Sequence, residues 1–343
     1  MAQPVNDDVQ SGQLVFSASL GRNDRPFTLI LLDLKSGSQQ LLADYSNGNY
    51  AVAPAWSPDG RTLLYSLNRD CDGIYLYDVE NRRNERLDQP TEHGGGCQAA
   101  WSPDGRYIAY MSHRESTSPG FYYDLYTFDV RARVHRRLTK KSGGYPIWSP
   151  DGEWITYYAP DRDARTYRIR LDGSGEELFP NLADQRLRPR DFTWSPDGKR
   201  MAFTAWSLKR DGLTADGEQV YTADIAGRDI RLLTPGTWVH ASPVWSARQD
   251  RIGLLVNAKG EYGTASIRLV EGGQSWEAVV QTYWEFDSYN FWSPNGRAIA
   301  YAPMHGRTFE GRGISVLNLD DGTIRRFATD MLAAYPVWRP IPR

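Results

Sequence analysis

The sequence predicts an all-β fold, a seven-bladed β-propeller of four-stranded antiparallel blades, with the ring closed by the C-terminal strand completing the first blade. Three observations predict it. Trp56, Trp101, Trp148, Trp194, Trp245, Trp292 and Trp338 recur at intervals of 45, 47, 46, 51, 47 and 46 residues. Most of them open the pentapeptide Trp-Ser-Pro-Asp-Gly. The runs between these turn signals are β-branched and aromatic, which at a period of roughly 40 to 50 residues marks propeller blades rather than helical solenoids.

One repeat maps onto four strands, A to D from the inside outward. From Ala55, Ala-Trp-Ser is a short strand A, Ser57-Pro58-Asp59-Gly60 is a turn, and residues 62–66 form strand B. Pro58 presets φ, Asp59 can bond its own backbone, and Gly60 takes the positive φ of a type I turn plus bulge. Residues 73–78 alternate as strand C, and 84–87 form strand D. Further B strands are legible at 14–17, 107–111, 154–158, 201–205, 252–256 and 298–302. Further C strands follow at 27–33, 124–130, 167–171, 219–225, 265–270 and 313–319, so that seven of each predict seven blades. The first B strand has no Trp-Ser-Pro-Asp-Gly before it, and Tyr335-Pro-Val-Trp338 has no B strand after it. Each end supplies what the other lacks, and their pairing would remove two free sheet edges.

Each Trp precedes a tight turn, where an indole can pack between blades, so all seven are read as structural. Ser, Asp and Gly of the turn receive the same reading. Two repeats depart from the pattern: Ser246-Ala-Arg-Gln-Asp250 lacks Pro and Gly, and Ser293-Pro-Asn-Gly296 replaces Asp by Asn. The first requires a different hairpin; the second is mild, because Asn also tolerates left-handed geometry.

The repeat runs through the chain without a shift in composition, so residues 1–343 are read as one domain, with 1–12 expected to be a flexible N-terminal segment. A formal charge of -2 and a pI near 6.2 argue against a nucleic-acid partner, which needs a clustered cationic excess. No apolar run approaches the ~18 residues of a membrane span. The start, Met1-Ala-Gln-Pro-Val-Asn-Asp-Asp, has neither the basic region nor the apolar core of a signal peptide. A cytoplasmic protein and an exported one in mature form both fit that start.

Trp101-Ser-Pro-Asp-Gly-Arg-Tyr-Ile-Ala-Tyr110 resembles the WD40-like (PD40) repeat of TolB-like propellers, and the resemblance covers essentially the whole chain. It implies the fold and says little of function, because the motif builds turns. The protein that names the family has six blades and an added α/β domain; this sequence shows neither, so its role in the Tol system does not follow. Similar propellers cap prolyl oligopeptidases, but no Gly-x-Ser-x-Gly elbow occurs here.

In a four-stranded meander the A/B and C/D turns share one face and the B/C and D/A loops the other. The second set is long and irregular, as expected when a rigid scaffold places function on loops. Arg114, Arg190, Trp238, His240 and Trp284 are binding candidates there. So are Asp287, Tyr289, His305, Arg307 and Tyr335. Aromatics among polar neighbours suit peptide or sugar recognition. No catalytic residue and no metal site is assigned. His93, His113, His240 and His305 fall on this face, a set that resembles the channel histidines of a seven-bladed lyase family acting on oligogalacturonate. They come from different blades without a local ligand motif. Cys71 and Cys97 belong to the same face of one blade, as a disulfide implying an oxidising compartment or as two free thiols.

The sequence therefore reads as a non-catalytic binding or scaffolding propeller that engages a peptide, protein or glycan across the B/C and D/A loop face. The alternative is a metal-assisted lyase or hydrolase acting on an acidic oligosaccharide at the channel mouth. No cofactor, nucleic acid or membrane span is expected, and the protein is expected to be monomeric. A periplasmic or extracellular location is favoured, with the cytoplasm as the alternative.

Overall fold

The structure is a computed structural model that describes residues 12–19, 27–43, 51–67, 72–87, 95–112, 123–140, 143–159, 165–179, 187–208, 215–233, 240–247, 251–257, 264–271, 274–283, 291–303 and 312–341. The chain opens with β1 (Gln13–Ser19), β2 (Phe27–Asp33) and β3 (Gln39–Ala43). Four antiparallel strands then recur in five sheets. The first contains β4 (Ala51–Trp56), β5 (Thr62–Leu67), β6 (Gly73–Asp78) and β7 (Arg83–Arg86). The second contains β8 (Gly96–Trp101), β9 (Tyr107–Ser112), β10 (Asp124–Asp129) and β11 (Val134–Arg137). The third contains β12 (Gly144–Trp148), β13 (Trp154–Ala159), β14 (Arg165–Arg170) and β15 (Glu177–Leu178). The fourth contains β16 (Leu187–Trp194), β17 (Arg200–Leu208), β18 (Ala215–Asp224) and β19 (Arg231–Leu232). The fifth contains β20 (His240–Trp245), β21 (Arg251–Asn257), β22 (Thr264–Glu271) and β23 (Gln274–Tyr283). The chain ends with β24 (Ala298–Tyr301), β25 (Arg312–Asn318) and the long β26 (Ile324–Trp338).

The fold is an all-β propeller of antiparallel blades, but the expected count of seven separate four-stranded blades is corrected. Among the described residues the hydrogen-bonded ladders make six sheets, because β24-β25-β26-β1-β2-β3 is one six-stranded sheet. Its cause is β26. The N-terminal half pairs with β25, as in Leu317↔Ile324 and Ile314↔Phe327, and the C-terminal half pairs with β1, as in Leu14↔Trp338 and Val15↔Val337.

The repeated turn shows why its residues recur. The Ser102 hydroxyl donates to Asp104 Oδ1 at 2.5 Å and accepts from the Tyr107 amide at 2.8 Å, while Asp104 Oδ1 also accepts from the Arg106 amide at 3.0 Å. Gly105 closes the turn at φ 69°, where a Cβ would be strained. Ser57, Ser149 and Ser195 repeat the donation to Asp59, Asp151 and Asp197. Asn295 substitutes without loss, since its Oδ1 is 2.8 Å from both the Ser293 hydroxyl and the Arg297 amide. In the deviant sixth repeat Ser246 is fully buried and its hydroxyl has no partner among the described residues. Residues 248–250 lie outside the described set.

Six of the seven repeat tryptophans are no more than 9% exposed, and Trp101 is partly buried. Three also bridge neighbouring repeats. Trp148 Nε1 donates to Ala100 O at 3.1 Å, Trp292 to Val244 O at 3.0 Å and Trp338 to Phe291 O at 3.1 Å. In each case the acceptor is the residue before the preceding repeat tryptophan. Second-strand tyrosines reach across their own sheets, with Tyr65 donating to Asn84 at 2.8 Å, Tyr157 to Glu176, and Tyr110 2.8 Å from His135 Nδ1. His135 thus has a structural neighbour on the outer strand β11.

The first strands of successive sheets touch one another, β26 with β4, β4 with β8, β8 with β12 and β16 with β20. The side chains of β7, β11, β15 and β19 are all exposed or partly exposed, as at Val134 and Leu232. The first strands lie innermost, and the short last strands β7, β11, β15 and β19 lie outermost.

Candidate functional site

Most of the predicted loop face is outside the described residues. Arg114, Trp238, Trp284, Asp287, Tyr289, His305 and Arg307 all lie there, as do His93, His113 and Cys71. Arg190 and His240 sit on the inner strands β16 and β20, but their side chains are outside the description. Tyr335 is placed: it lies on β26 and is 5% exposed. Among the described residues no group of three or more His, Cys, Asp or Glu side chains could hold a metal.

The inner strands carry a feature that sequence reasoning missed. Ala53, Gln98, Tyr145, Asp191 and Tyr335 all have left-handed backbones, with φ of 48°, 51°, 55°, 45° and 52°. Each is the third residue before its repeat tryptophan. Each also coincides with a β-bulge, between Val52 and Ala55, Cys97 and Ala100, Gly144 and Ile147, or Arg190 and Phe192. In β26 the irregularity falls where Val15 and Ser17 of β1 face Val337 and Ala334. A bulge re-aims the side chain it carries and is common on the rims of closed sheets. A left-handed non-glycine residue costs about 1 kcal/mol or more. The strand β20 differs: its register runs unbroken from His240 to Trp245, and Ser242, the equivalent residue, is not among the left-handed ones.

These bulges lie at the end of each inner strand away from the Ser-Pro-Asp-Gly turn, hence toward the D/A loop face. Tyr145 is 50% exposed and Asp191 is also exposed, although both stand on innermost strands; Gln98 is partly exposed. Of these positions the sequence singled out Tyr335 as a binding candidate.

The same end of the third repeat is firmly held. Cys97, next to Gln98, is disulfide-bonded, 5% exposed, and packs with Met111 and Tyr123. Asp124, 4% exposed, accepts from Arg137 at 2.6 Å, and the Arg137 Nε bonds Thr139 O at 2.9 Å, so the outer strand clamps the entry of β10. Arg86 does the equivalent on the preceding sheet, reaching Asp72 O at 2.7 Å. A largely buried ion pair such as Asp124–Arg137 holds geometry more than it adds stability.

No protein-family model matches the sequence. Solved structures do resemble the fold. TolB from Acinetobacter baumannii superposes with a TM-score of 0.54 at 18% identity, covering 97% of this chain and 67% of its own. The β-propeller domain of the trilobed protease from Pyrococcus furiosus, described as having an open velcro topology, gives 0.62 at 15% identity, with 92% of each chain covered. An oligogalacturonate lyase in complex with manganese gives 0.53 at 16% identity, covering 92% of this chain and 73% of its own. At these identities the likeness is one of architecture, and the chain has the β-propeller fold of TolB-like structures.

Proposed function

We propose that the protein is a non-catalytic binding or scaffolding propeller that engages a peptide, protein or glycan across the B/C and D/A loop face. The observation that carries this reading is an asymmetry between the two ends of the inner strands. The turn end is a uniform frame of Ser, Asp and Gly that bond one another, whereas the loop end holds left-handed residues that differ from repeat to repeat, from buried Tyr335 to exposed Tyr145 and Asp191. Rigid frame at one end and variable display at the other is how scaffolds carry recognition.

In the same reading the six-stranded sheet is two blades that share β26, giving a sevenfold ring closed by the C-terminus. The Trp338 indole bears the same relation to Phe291 that Trp292 bears to Val244. Arg339-Pro340 also stands to Gly60 as Pro58 stands to Gly105, since a Cβ on Gly60 would meet Pro340 O at 3.1 Å and one on Gly105 would meet Pro58 Cδ at 3.4 Å. Cys71 is the proposed partner of Cys97, and a monomer in the periplasm or outside the cell is the matching context.

A thermal-shift panel of peptides, neutral and acidic oligosaccharides, Mn²⁺ and Zn²⁺ tests the proposal, with Trp238→Ala and Trp284→Ala as controls on the loop face. Stabilisation by a peptide or glycan, reduced in those variants and independent of metal, is expected. Stabilisation by Mn²⁺ together with the appearance of an unsaturated product, or of new reducing ends, from an acidic oligosaccharide would instead favour the alternative, a metal-assisted lyase or hydrolase using His93, His113, His240 and His305. That alternative rests on the architecture shared with the manganese-bound lyase.

A further inference from the structure

We propose that the outer strand β11 and its two flanks form a linear docking strip for an extended acidic peptide segment, read by Arg131, Arg136 and Lys140 around the exposed Val134. The strip belongs to an outermost strand rather than to the loop face, and so goes beyond the reading above.

The first ground is a local excess of charge. The chain as a whole has a formal charge of -2, yet between Asp129 and Asp151 it holds Arg131, Arg133, Arg136, Arg137, Lys140 and Lys141 and no carboxylate. Other last strands have anions of their own, with Glu85 on β7, Glu177 on β15 and Asp229 just before β19. Two cations of the stretch are neutralised: Arg137 binds Asp124 at 2.6 Å, and Arg133 pairs with Glu85 of the neighbouring sheet. Arg136 ends on a neutral acceptor, the Asp172 carbonyl oxygen at 2.5 Å, while the Asp172 carboxylate holds the Ser174 amide and hydroxyl at 2.9 and 2.6 Å. Arg131 and Lys140 form no ion pair among the described residues, and Lys141 lies outside them.

The second ground is placement. Successive side chains of a strand take opposite faces. His135 and Arg137 serve their own sheet, His135 Nδ1 lying 2.8 Å from the Tyr110 hydroxyl and Arg137 reaching Asp124. Val134 and Arg136 take the other face and are exposed, as are Arg131 and Lys140 on the two flanks. Val134, at 57%, is the most exposed large hydrophobic side chain among the described residues. The ties from Arg133 to Glu85 and from Arg136 to Asp172 fix this strand against the sheets on both sides. The third ground is the match to a partner. Guanidinium binds carboxylate with two parallel hydrogen bonds. Arg136 and Lys140 are four residues apart, at most about 14 Å along the chain. Residues i and i+4 of an extended peptide share a face at about 13 Å, with residue i+2 between them. An extended segment with an acid at every fourth position and an apolar residue midway therefore offers carboxylates to the cations and a side chain to Val134. A sulfated polysaccharide offers the anions without the apolar group.

The test uses the full chain with its disulfide intact and isothermal titration at low ionic strength. The probe is N-acetyl-Glu-Ser-Val-Ser-Glu-Ser-Val-Ser-Glu amide. Its controls are the same peptide with Gln for Glu, a block peptide of identical composition, N-acetyl-Glu-Glu-Glu-Ser-Ser-Ser-Ser-Val-Val amide, and a heparin tetrasaccharide. The spaced acidic peptide should bind, more weakly as salt is added, and the Gln peptide should not. Arg131→Gln combined with Lys140→Gln should weaken binding at least about fivefold, and Val134→Thr about twofold or more, with unchanged melting temperatures. Arg326→Gln, at an exposed arginine of β26, should leave the affinity as it was. Failure of the spaced peptide to bind overturns the proposal, as does equal binding of the block peptide or of heparin, which would show an unselective cationic surface. So does parental affinity in the double variant, or a fall in its melting temperature, which would assign these cations to folding. If the spaced peptide is lost in Trp238→Ala or Trp284→Ala but kept in the double variant, the β11 strip falls and the loop-face reading stands.

Discussion

Replacing Trp338 by alanine asks whether the last strand is part of the frame. The indole is 6% exposed, shares a core with Leu14, Phe16, Ile314 and Val316, and donates to Phe291 O at 3.1 Å. Truncating a buried Trp costs about 3–5 kcal/mol. Unfolding entropy of about 2.1 cal/mol/K per residue makes 1 kcal/mol worth about 1.4 °C in a chain of 343 residues. Trp338→Ala should therefore lower the melting temperature by about 4–7 °C. Trp338→Phe keeps most of the apolar area and loses the N–H bond, so about 1–3 °C is expected. Deleting residues 334–343 removes far more. Tyr335 and Val337 lose their burial, β1 loses a ladder partner, and the bonds from Arg339 to Gln13 Oε1 at 2.8 Å and to Gly60 O at 2.7 Å disappear. That sum approaches the ~5–15 kcal/mol stability of a typical domain. Differential scanning calorimetry of the three variants against wild type decides the matter. A truncated chain that unfolds cooperatively within about 3 °C of the parent would refute the reasoning, because the end strand would then be dispensable.

Three further outcomes follow from the turns. Ser102→Ala should destabilise by about 1–2 kcal/mol, since two of its hydroxyl bonds are lost, whereas Ser246→Ala should be neutral or stabilising because a buried, unpartnered hydroxyl is removed; urea midpoints compare them. Gly313→Ala should be among the most damaging glycine substitutions, with φ +84° and a Cβ that would meet Phe327 O at 2.1 Å, and loss of cooperative unfolding or of soluble expression is the readout. Acid sensitivity is expected below about pH 4. The Ser195 hydroxyl and Lys199 amide hold Asp197 below its ordinary 3.8; burial raises Asp59, but hydrogen bonds from Ser57 and the Arg61 amide outweigh it. Asp33 and Asp78 are lowered by Ser36 and Asn81. Depressed folded values mean that this stability is present in full above the ordinary value and is lost as pH falls through the lowered ones. Equal urea midpoints at pH 7 and pH 3 would contradict it.

What the sequence made legible is what repeats. The Trp spacing located the inner strands, and the pentapeptide located the turns because each of its residues has a local job that side-chain chemistry reveals. The sixth repeat was legible as an exception for the same reason: it lacks Pro and Gly, and the Ser246 hydroxyl has no partner among the described residues. Blade count was less legible, since β26 runs unbroken through two pairings and no residue type says where one sheet stops. The indole acceptors were invisible too. They are backbone carbonyls on another repeat, 47 or 48 residues away in sequence, and any residue supplies one.

The bulges were illegible for a deeper reason. Their residues are Ala, Gln, Tyr, Asp and Tyr, which share no propensity for left-handed geometry. A following proline does not cause them, because Pro54, Pro146 and Pro336 follow bulged residues while Pro243 follows the regular Ser242. Nor does the turn, because β26 is bulged although Trp338 leads into Arg339-Pro340 and no Ser-Pro-Asp-Gly. The remaining cause is tertiary. Inner strands of successive sheets touch one another, and inserting one residue bends a bulged strand relative to its neighbours, as β20 shows by contrast with its regular register. A geometry imposed by packing leaves the residue type at that position unspecified, which is why no sequence signal marks it.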